Sequence, residues 1–223
     1  MKLNLFFPII LLAFGILTSC GVDDSENPDA ESTFGIRHDR ELSDYEEKAA
    51  ETGSDLPDFS SVICFQYNLT GGTELDYVAS GTVIDEYWIL TAGHNFFTSD
   101  EQTSPAPASG IIIAIGNDPN DPDAQYEVEE LVFHPTWLTD DDGYANGNDL
   151  CLVKTKEPIT GITPQALYAG SDEPIGSKVW YCGFGDYSQI EGQNPDLYSK
   201  KHAHENILDR VVGGIETSID GTT

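Results

Sequence analysis

A histidine and an aspartate lie beside apolar stretches of this sequence and have complementary proton chemistry. His94 follows the apolar run Trp88–Ala92, and Asp149 precedes the run Leu150–Val153. An imidazole accepts and returns a proton near neutral pH. A buried carboxylate orients that ring and stabilises its charged form. The two residues are therefore a candidate base and orienting partner, which acyl transfer requires together with a nucleophile. The alternative for a lone histidine after an apolar strand is a structural role.

Short apolar runs, separated by many glycines and prolines, predict strands that could bring these two residues together. The 223 residues include 21 Gly and 12 Pro, and 39% are hydrophobic. Six strands with turn-rich connections fit a closed antiparallel barrel, and a connector over 158–176 leads to further strands. A polar stretch at 42–50 is predicted to be helical. The first six strands are predicted at Val62–Tyr67, Tyr77–Ile84, Trp88–Ala92, Gly110–Ile115, Tyr126–His134 and Asp149–Lys154, and the later ones at Lys178–Gly183 and Asn206–Glu216.

Four motifs follow one another along the chain: Ser80–His94, His134-Pro135-Thr136-Trp137, Asn148-Asp149-Leu150 and Gly183-Phe184-Gly185. In this order they resemble motifs of the trypsin-like (chymotrypsin-fold) serine proteases. The first resembles the segment of the catalytic histidine, the third that of the aspartate, and the other two the flanking motifs. The resemblance implies an all-β fold of two antiparallel six-stranded β-barrels, the second incomplete in this chain. It also implies a serine endopeptidase of proteins or peptides that requires no cofactor.

Within that resemblance, His94 is the expected general base and Asp149 its orienting partner, but the expected nucleophile is missing. The family's Gly-Asp-Ser-Gly-Gly motif occurs nowhere in the 223 residues. Ser171 lies in the connector and is not expected to replace it. We therefore expect the sequence to stop before the serine-bearing part of the second barrel. The alternatives are a catalytically inactive pseudoprotease that binds peptides or proteins, and a structural surface lipoprotein.

The N-terminal segment predicts export. Lys2 precedes an apolar run over 5–17, which is too short for a comfortable membrane span. Leu17-Thr18-Ser19-Cys20 resembles the bacterial lipobox, so Cys20 is the expected lipidation site and the anchor to the cell envelope. An ordinary signal peptide with an incidental cysteine is the alternative. The predicted regions are 1–19 (lipoprotein signal peptide), 20–35 (acidic tether), 36–157 (N-terminal segment and first barrel) and 158–223 (connector and partial second barrel).

The charge of the chain narrows the classes of partner. Asp and Glu number 39 against 10 Lys and Arg, for a net charge of −29. Nucleic-acid binding is excluded, because it needs basic side chains to neutralise phosphates. Most of the acidity is expected to form a solvated surface. A calcium loop is a further expectation, with oxygen ligands from Asp118, Asn120, Asp121 and Asp123.

Two further predictions concern a pair of histidines and three cysteines. His202-Ala203-His204 could present two imidazoles for zinc, but no third ligand is evident, so a solvated turn is the preferred interpretation. Cys64, Cys151 and Cys182 lie in apolar runs and are predicted to be buried. Because their number is odd, they can form at most one disulfide among themselves, and its pairing stays open. The resemblance adds that animal trypsins usually carry a cysteine just after the histidine, where this chain has Asn95.

Overall fold

The computed structural model describes the greater part of residues 36–208. The ranges are 36–37, 41–51, 56–68, 77–97, 105–137, 147–170, 174–185, 187–188 and 200–208. The predicted signal peptide, Cys20 and the tether lie outside them, so those predictions stay predictions. The described residues form helix α1 (Leu42–Ala50), two 3-10 turns (His94–Phe96 and Ala108–Gly110) and the strands β1 (Ile36–Arg37), β2 (Val62–Tyr67), β3 (Tyr77–Asp85), β4 (Trp88–Thr91), β5 (Ile111–Ile115), β6 (Ala124–Phe133), β7 (Cys151–Thr155), β8 (Lys178–Gly183), β9 (Tyr187–Ser188) and β10 (His202–Ile207).

Strands β2 to β7 close into the predicted first barrel. Their order around the barrel is β2-β3-β4-β7-β6-β5, and every neighbouring pair is antiparallel. Along β7, buried and partly exposed residues alternate, which is the period-2 pattern of a strand with one face on a core. The barrel is filled by branched and aromatic side chains that are almost completely buried, among them Ile63, Phe65, Val83, Ile89, Ile113 and Val153. The prediction of this barrel is confirmed, with strand ends shifted by no more than two residues.

Gly81 in β3 lies where the barrel core leaves no room for a side chain. A Cβ atom at this position would stand 2.6 Å from Cε2 of Phe65 and 2.8 Å from Cγ2 of Ile89. Phe65 and Ile89 are both 0% exposed, so neither can move aside into solvent. The glycine therefore permits the close packing of β2 and β4 against β3.

Gly81→Ala is expected to lower the free energy of unfolding by about 1–3 kcal/mol, because it overpacks a closed core. Urea denaturation measures the loss. Gly110→Ala is the matched control, since a Cβ there would find its nearest neighbour, Cγ of Pro107, at an ordinary 3.7 Å. Equal stability of the two variants would contradict the close packing around Gly81.

A second sheet, of two strands, follows the barrel, and in it β8 pairs with β10 in antiparallel register. A separate two-stranded sheet is formed by β1 and β9 in parallel register. Helix α1 packs against β10, where Ala49, Phe59 and Ala203 form a small buried cluster. The part of the second barrel that is described is thus joined to the segment N-terminal to the first. No helix among the described residues is long and apolar enough to cross a membrane.

The last described strand begins earlier than the sequence indicated. The prediction placed it at 206–216, but β10 starts at His202 and is described as far as Ile207, while 209–216 lie outside the described residues. His202 pairs with Gly183 and is only 5% exposed. The interpretation of 202–204 as a solvated turn is therefore wrong. Strand pairing and the covering helix α1 bury these polar residues, although their polarity alone favoured solvent.

Candidate active site

The strand register brings His94 and Asp149 to the same end of the barrel. β4 and β7 are antiparallel neighbours, with Thr91 opposite Cys151. Two residues beyond this pair, the position opposite Asp149 is that of Gly93, immediately before His94. His94 and Asp149, although far apart in sequence, therefore meet because each lies just beyond the strand pair Thr91 and Cys151.

The turn that carries His94 is anchored by an aromatic side chain two residues later. Phe96 is 0% exposed, and its ring centroid lies 5.5 Å from those of both Phe65 and Tyr67. The carbonyl of Phe96 accepts a 2.7 Å hydrogen bond from the amide of Ala106. With Phe96 in the core, the His94 side chain is directed outward and is 42% exposed.

The carboxylate of Asp149 holds His94 at two points. Its Oδ2 lies 2.6 Å from Nδ1 of the ring, and its Oδ1 accepts a 2.8 Å hydrogen bond from the backbone N–H of His94. The Asp149 side chain is only 16% exposed. An ionised carboxylate can only accept hydrogen bonds, so the neutral ring carries its proton on Nδ1. The lone pair of Nε2, on the opposite side of the ring, is then the one that can take a proton.

The buried Trp137 side chain packs beside Gly93, next to the Asp149 carboxylate. A Cβ atom on Gly93 would stand 3.1 Å from Nε1 of Trp137 and 3.2 Å from Oδ1 of Asp149, so the indole and the carboxylate converge on the same glycine. Trp137 is 0% exposed, and its amide donates to the carbonyl of His134 at 2.9 Å. The amide of His134 in turn donates to the carbonyl of Leu150 at 2.9 Å. The predicted flanking motif 134–137 is thus tied to the aspartate segment.

Sequence reasoning missed a set of polar contacts around the histidine turn. Nδ2 of Asn95 donates to Oγ1 of Thr91 at 3.0 Å, and that hydroxyl donates to the carbonyl of Ser80 at 2.8 Å. Oγ of Ser80 accepts a 2.9 Å hydrogen bond from the amide of Phe184. The available signals were Ser80 inside β3, Thr91 at the end of β4, and Asn95 directly after the histidine, three polar residues in or beside apolar strands.

In the acidic loop predicted to bind calcium, the Asp118 carboxylate contacts other groups of the chain. Oδ1 of Asp118 accepts from the amide of Asn120 at 2.9 Å, and its Oδ2 faces Nζ of Lys200 at 3.5 Å. Asp123 packs against Gly116, whose φ of 117° suits a glycine. In the described ranges, no three His, Cys, Asp or Glu side chains are grouped to hold a metal ion, in this loop or around His202 and His204. Calcium binding by Asp118, Asn120, Asp121 and Asp123 stays a prediction.

The three cysteines of the described strands are free thiols. Cys64 and Cys151 are buried, and Cys182 is partly buried. Burial raises the pKa of each thiol to about 12. Because the thiolate is the reactive form, these cysteines behave as small apolar residues and not as nucleophiles.

Two histidines in β10, His202 buried and His204 partly buried, make the stability of the fold depend on pH. Burial lowers the pKa of His202, opposed by the carbonyl of Lys200 and by Glu46. Burial, His202 and Lys48 lower the pKa of His204, whose ring stacks on Tyr181 and meets the edge of Tyr45. When acid brings the pH below the ordinary histidine pKa of about 6.5, the unfolded chain gains protons that the folded chain resists.

The free energy of unfolding is therefore expected to fall as the pH drops from 7.5 to 5.5. Urea denaturation at both pH values measures this, and the double variant His202→Asn, His204→Asn should flatten the dependence. The carboxylates with lowered pKa, Asp58 and Glu127, respond only nearer their ordinary values of about 4. An equally steep loss in the double variant would assign the effect to other groups.

A cavity of about 380 Å³ beside α1 is separate from this site. It is lined by Ala49, Phe59, Gly116 and Lys201, and it includes neither His94 nor Asp149. Lys201 is 2% exposed, its Nζ donates to the carbonyl of Phe59 at 3.0 Å, and burial lowers its pKa. The His94–Asp149 pair thus lies outside this cavity.

Comparison with known proteins adds an independent observation. The family model described as Trypsin matches residues 60–207. Complement C1s-1 subcomponent of Mus musculus is 32% identical over 84 residues, which are 36% of this chain and 12% of that protein. Snake venom serine proteinase 5 of Crotalus adamanteus is 26% identical over 140 residues, which are 61% of this chain and 49% of that protein. The chain thus spans half or less of the length of these relatives.

Solved structures agree on the fold. The structure of a Glu endopeptidase in complex with MPD has a TM-score of 0.53 at 14% identity, over 73% of this chain and 68% of that one. The structure of GrC has a TM-score of 0.51 at 14% identity, over 68% of this chain and 61% of that one. At this identity the likeness concerns the architecture. It agrees with a two-barrel fold whose first barrel is closed here and whose second is present in part.

Proposed function

This chain belongs to the trypsin family of serine proteases, and we propose that it is a serine-type endopeptidase in which His94 is the general base and Asp149 its orienting carboxylate. One observation carries the proposal. Asp149 meets the ring at 2.6 Å and the backbone N–H of the same histidine at 2.8 Å, so both the tautomer and the position of the ring are held. A residue that served only the fold would not require this double contact.

In the proposed reaction, a serine Oγ attacks the carbonyl carbon of the scissile peptide bond. Nε2 of His94 takes the hydroxyl proton as the C–O bond forms, and it gives that proton to the amine when the C–N bond breaks. A water molecule then attacks the acyl-enzyme in the same way, with Nε2 of His94 taking its proton and returning it to the serine oxygen. Asp149 stays ionised throughout and stabilises the imidazolium. The substrate is a protein or peptide, and the chemistry needs no cofactor.

The nucleophile is the part of the proposal that the 223 residues do not supply. They contain no Gly-Asp-Ser-Gly-Gly motif, and Ser171 lies outside the described residues. We place the serine in a continuation of the second barrel beyond Thr223. The second candidate function is a catalytically inactive surface protein that binds peptides or proteins.

Sequencing the gene beyond codon 223 separates the two functions. An open frame that reaches Gly-Asp-Ser-Gly-Gly supports the peptidase, and a stop codon directly after codon 223 overturns it in favour of peptide binding. The product of an open frame should then hydrolyse casein and take up a fluorophosphonate probe on that serine. His94→Ala should reduce both to background, whereas His204→Asn, a histidine variant on β10, should not.

The location of the protein is part of the same proposal. The sequence Leu17-Thr18-Ser19-Cys20 supports export to a bacterial envelope and lipidation of Cys20. Growth of an expressing bacterium with labelled palmitate tests it. Label in the wild-type protein and its loss in Cys20→Ser support the anchor, while equal labelling of both overturns it.

A further inference from the structure

The polar contacts around the histidine turn form a continuous path from the candidate site to the second sheet. The path runs from the Asn95 side chain to the hydroxyl of Thr91 (3.0 Å) and from there to the carbonyl of Ser80 (2.8 Å). The Ser80 side chain continues it to the amide of Phe184 (2.9 Å), just after β8. Its first member is the immediate neighbour of His94. Its last, Phe184, is 2% exposed and packs with Cys64 and Ala114 on the outside of β2 and β5.

The path begins where ordinary strand pairing stops. Backbone pairing of β3 with β4 is recorded from Asp85 and Trp88 to Thr82 and Leu90. Thr91, one residue after Leu90, donates its hydroxyl to the carbonyl of Ser80, two residues before Thr82. Thr91 is only 8% exposed, so little water competes for this bond.

The lack of a side chain at Gly183 leaves space for the hydrogen bond between Ser80 and Phe184. A Cβ atom on Gly183 would stand 2.8 Å from Oγ of Ser80, so a side chain there would push the hydroxyl away from the Phe184 amide. Gly183 and Ser80 together therefore allow β8 to approach β3 closely. The contact joins the barrel that carries His94 to the sheet that follows it.

We propose that Asn95, Thr91 and Ser80 are positioning residues of the peptidase, and that their hydrogen bonds hold the His94 turn at a set place relative to β8. The inference rests on the proposed function for its catalytic meaning. Asp149 holds the turn from the β7 side, and the path holds it from the β3 and β8 side. General-base catalysis needs its groups within fractions of an ångström, and a 1 Å displacement costs about 10²-fold in rate.

The test is made on the full 223-residue chain by proton NMR. The Nδ1 proton between His94 and Asp149 is expected to give a far-downfield resonance, because the hydrogen bond is short. Thr91→Val removes the hydroxyl at nearly constant shape and should shift or broaden this resonance. Thr91→Ser restores the hydroxyl and should restore the wild-type signal. In protein that carries the serine, Thr91→Val should lower kcat about 10–10²-fold with little change in KM.

Thr155→Val is the matched control. Thr155 is 0% exposed, and its hydroxyl donates to the carbonyl of Tyr87 at 3.3 Å, at the end of β4 opposite to Thr91. If Thr91→Val leaves the resonance as unchanged as Thr155→Val does, the proposal is wrong. Should Thr91→Val fail to fold, Asn95→Ala, at a partly exposed site, carries the same test.

The outcomes distinguish this inference from the proposed function. A wild-type resonance that does not respond to Thr91→Val or Asn95→Ala overturns the positioning role alone. A resonance that responds to these variants supports the positioning of the ring by the path. If peptide hydrolysis by the same protein is unaffected by His94→Ala, the proposed peptidase function is overturned while the positioning role remains.

Discussion

Asp149→Asn is expected to lower kcat about 10⁴-fold in protein that carries the serine, the loss that follows from the wrong histidine tautomer in a Ser-His-Asp triad. The carboxylate accepts two hydrogen bonds, one from the ring and one from the backbone N–H of His94. An amide has one accepting oxygen and one donating NH₂ group. If its oxygen keeps the backbone N–H, its NH₂ faces Nδ1, and the ring proton moves to Nε2. The ring then offers no lone pair to the nucleophile.

Steady-state hydrolysis of a peptide substrate measures this effect, and the far-downfield resonance of the 223-residue chain should disappear in the same variant. Asp85→Asn is the matched control. Asp85 is the last residue of β3, and its Oδ1 accepts a hydrogen bond from the amide of Tyr87 at 3.2 Å, which an asparagine can also accept. A kcat for Asp149→Asn within tenfold of wild type would show that the tautomer is set by some other group.

Trp137→Ala is expected to lower the free energy of unfolding by about 3–5 kcal/mol, the range for truncating a fully buried large aromatic side chain. Trp137 is 0% exposed, and it fills the space behind Gly93 and Asp149. The hole left by the indole also opens space beside Gly93, next to the Asp149 carboxylate. The same variant should therefore broaden the resonance of the His94–Asp149 hydrogen bond.

Urea denaturation followed by circular dichroism measures the stability of Trp137→Ala without relying on the lost indole signal. Trp88→Ala is the comparison, because Trp88 lies in β4 and is only partly buried, so its truncation should cost less. Trp137→Phe should recover part of the loss. Two tryptophan variants of equal stability would mean that the site collapses around the hole rather than depending on the indole.

The parts of this fold that the sequence predicted are those set by local pattern and by neighbouring strands. The six barrel strands follow alternating apolar runs between turns, and β2 and β8 begin and end at the predicted residues. The meeting of His94 and Asp149 was predictable from the motifs, and the register of β4 and β7 gives its physical reason. These features depend on short stretches of sequence, and such stretches indicate strands in any antiparallel sheet.

The parts that were not predicted depend on contacts between distant segments. His202 and Lys201 are polar, and nothing beside them in the sequence indicates that α1 and Phe59 will cover them. The bond between Ser80 and the amide of Phe184 likewise joins residues from two different sheets. Burial of a polar group is decided by whether a partner arrives from elsewhere in the chain, and a single sequence does not contain that information locally.

The packing of α1 against β10 also constrains the order of events as the chain leaves the ribosome. All six barrel strands are available once residue 155 has emerged, so the barrel can close early from contacts of short and intermediate sequence separation. Helix α1 is made before the barrel, but its partner strand begins only at residue 202. Until that strand is made, the α1 face that carries Tyr45 and Ala49 has no β10 to pack against, so this part of the fold forms last.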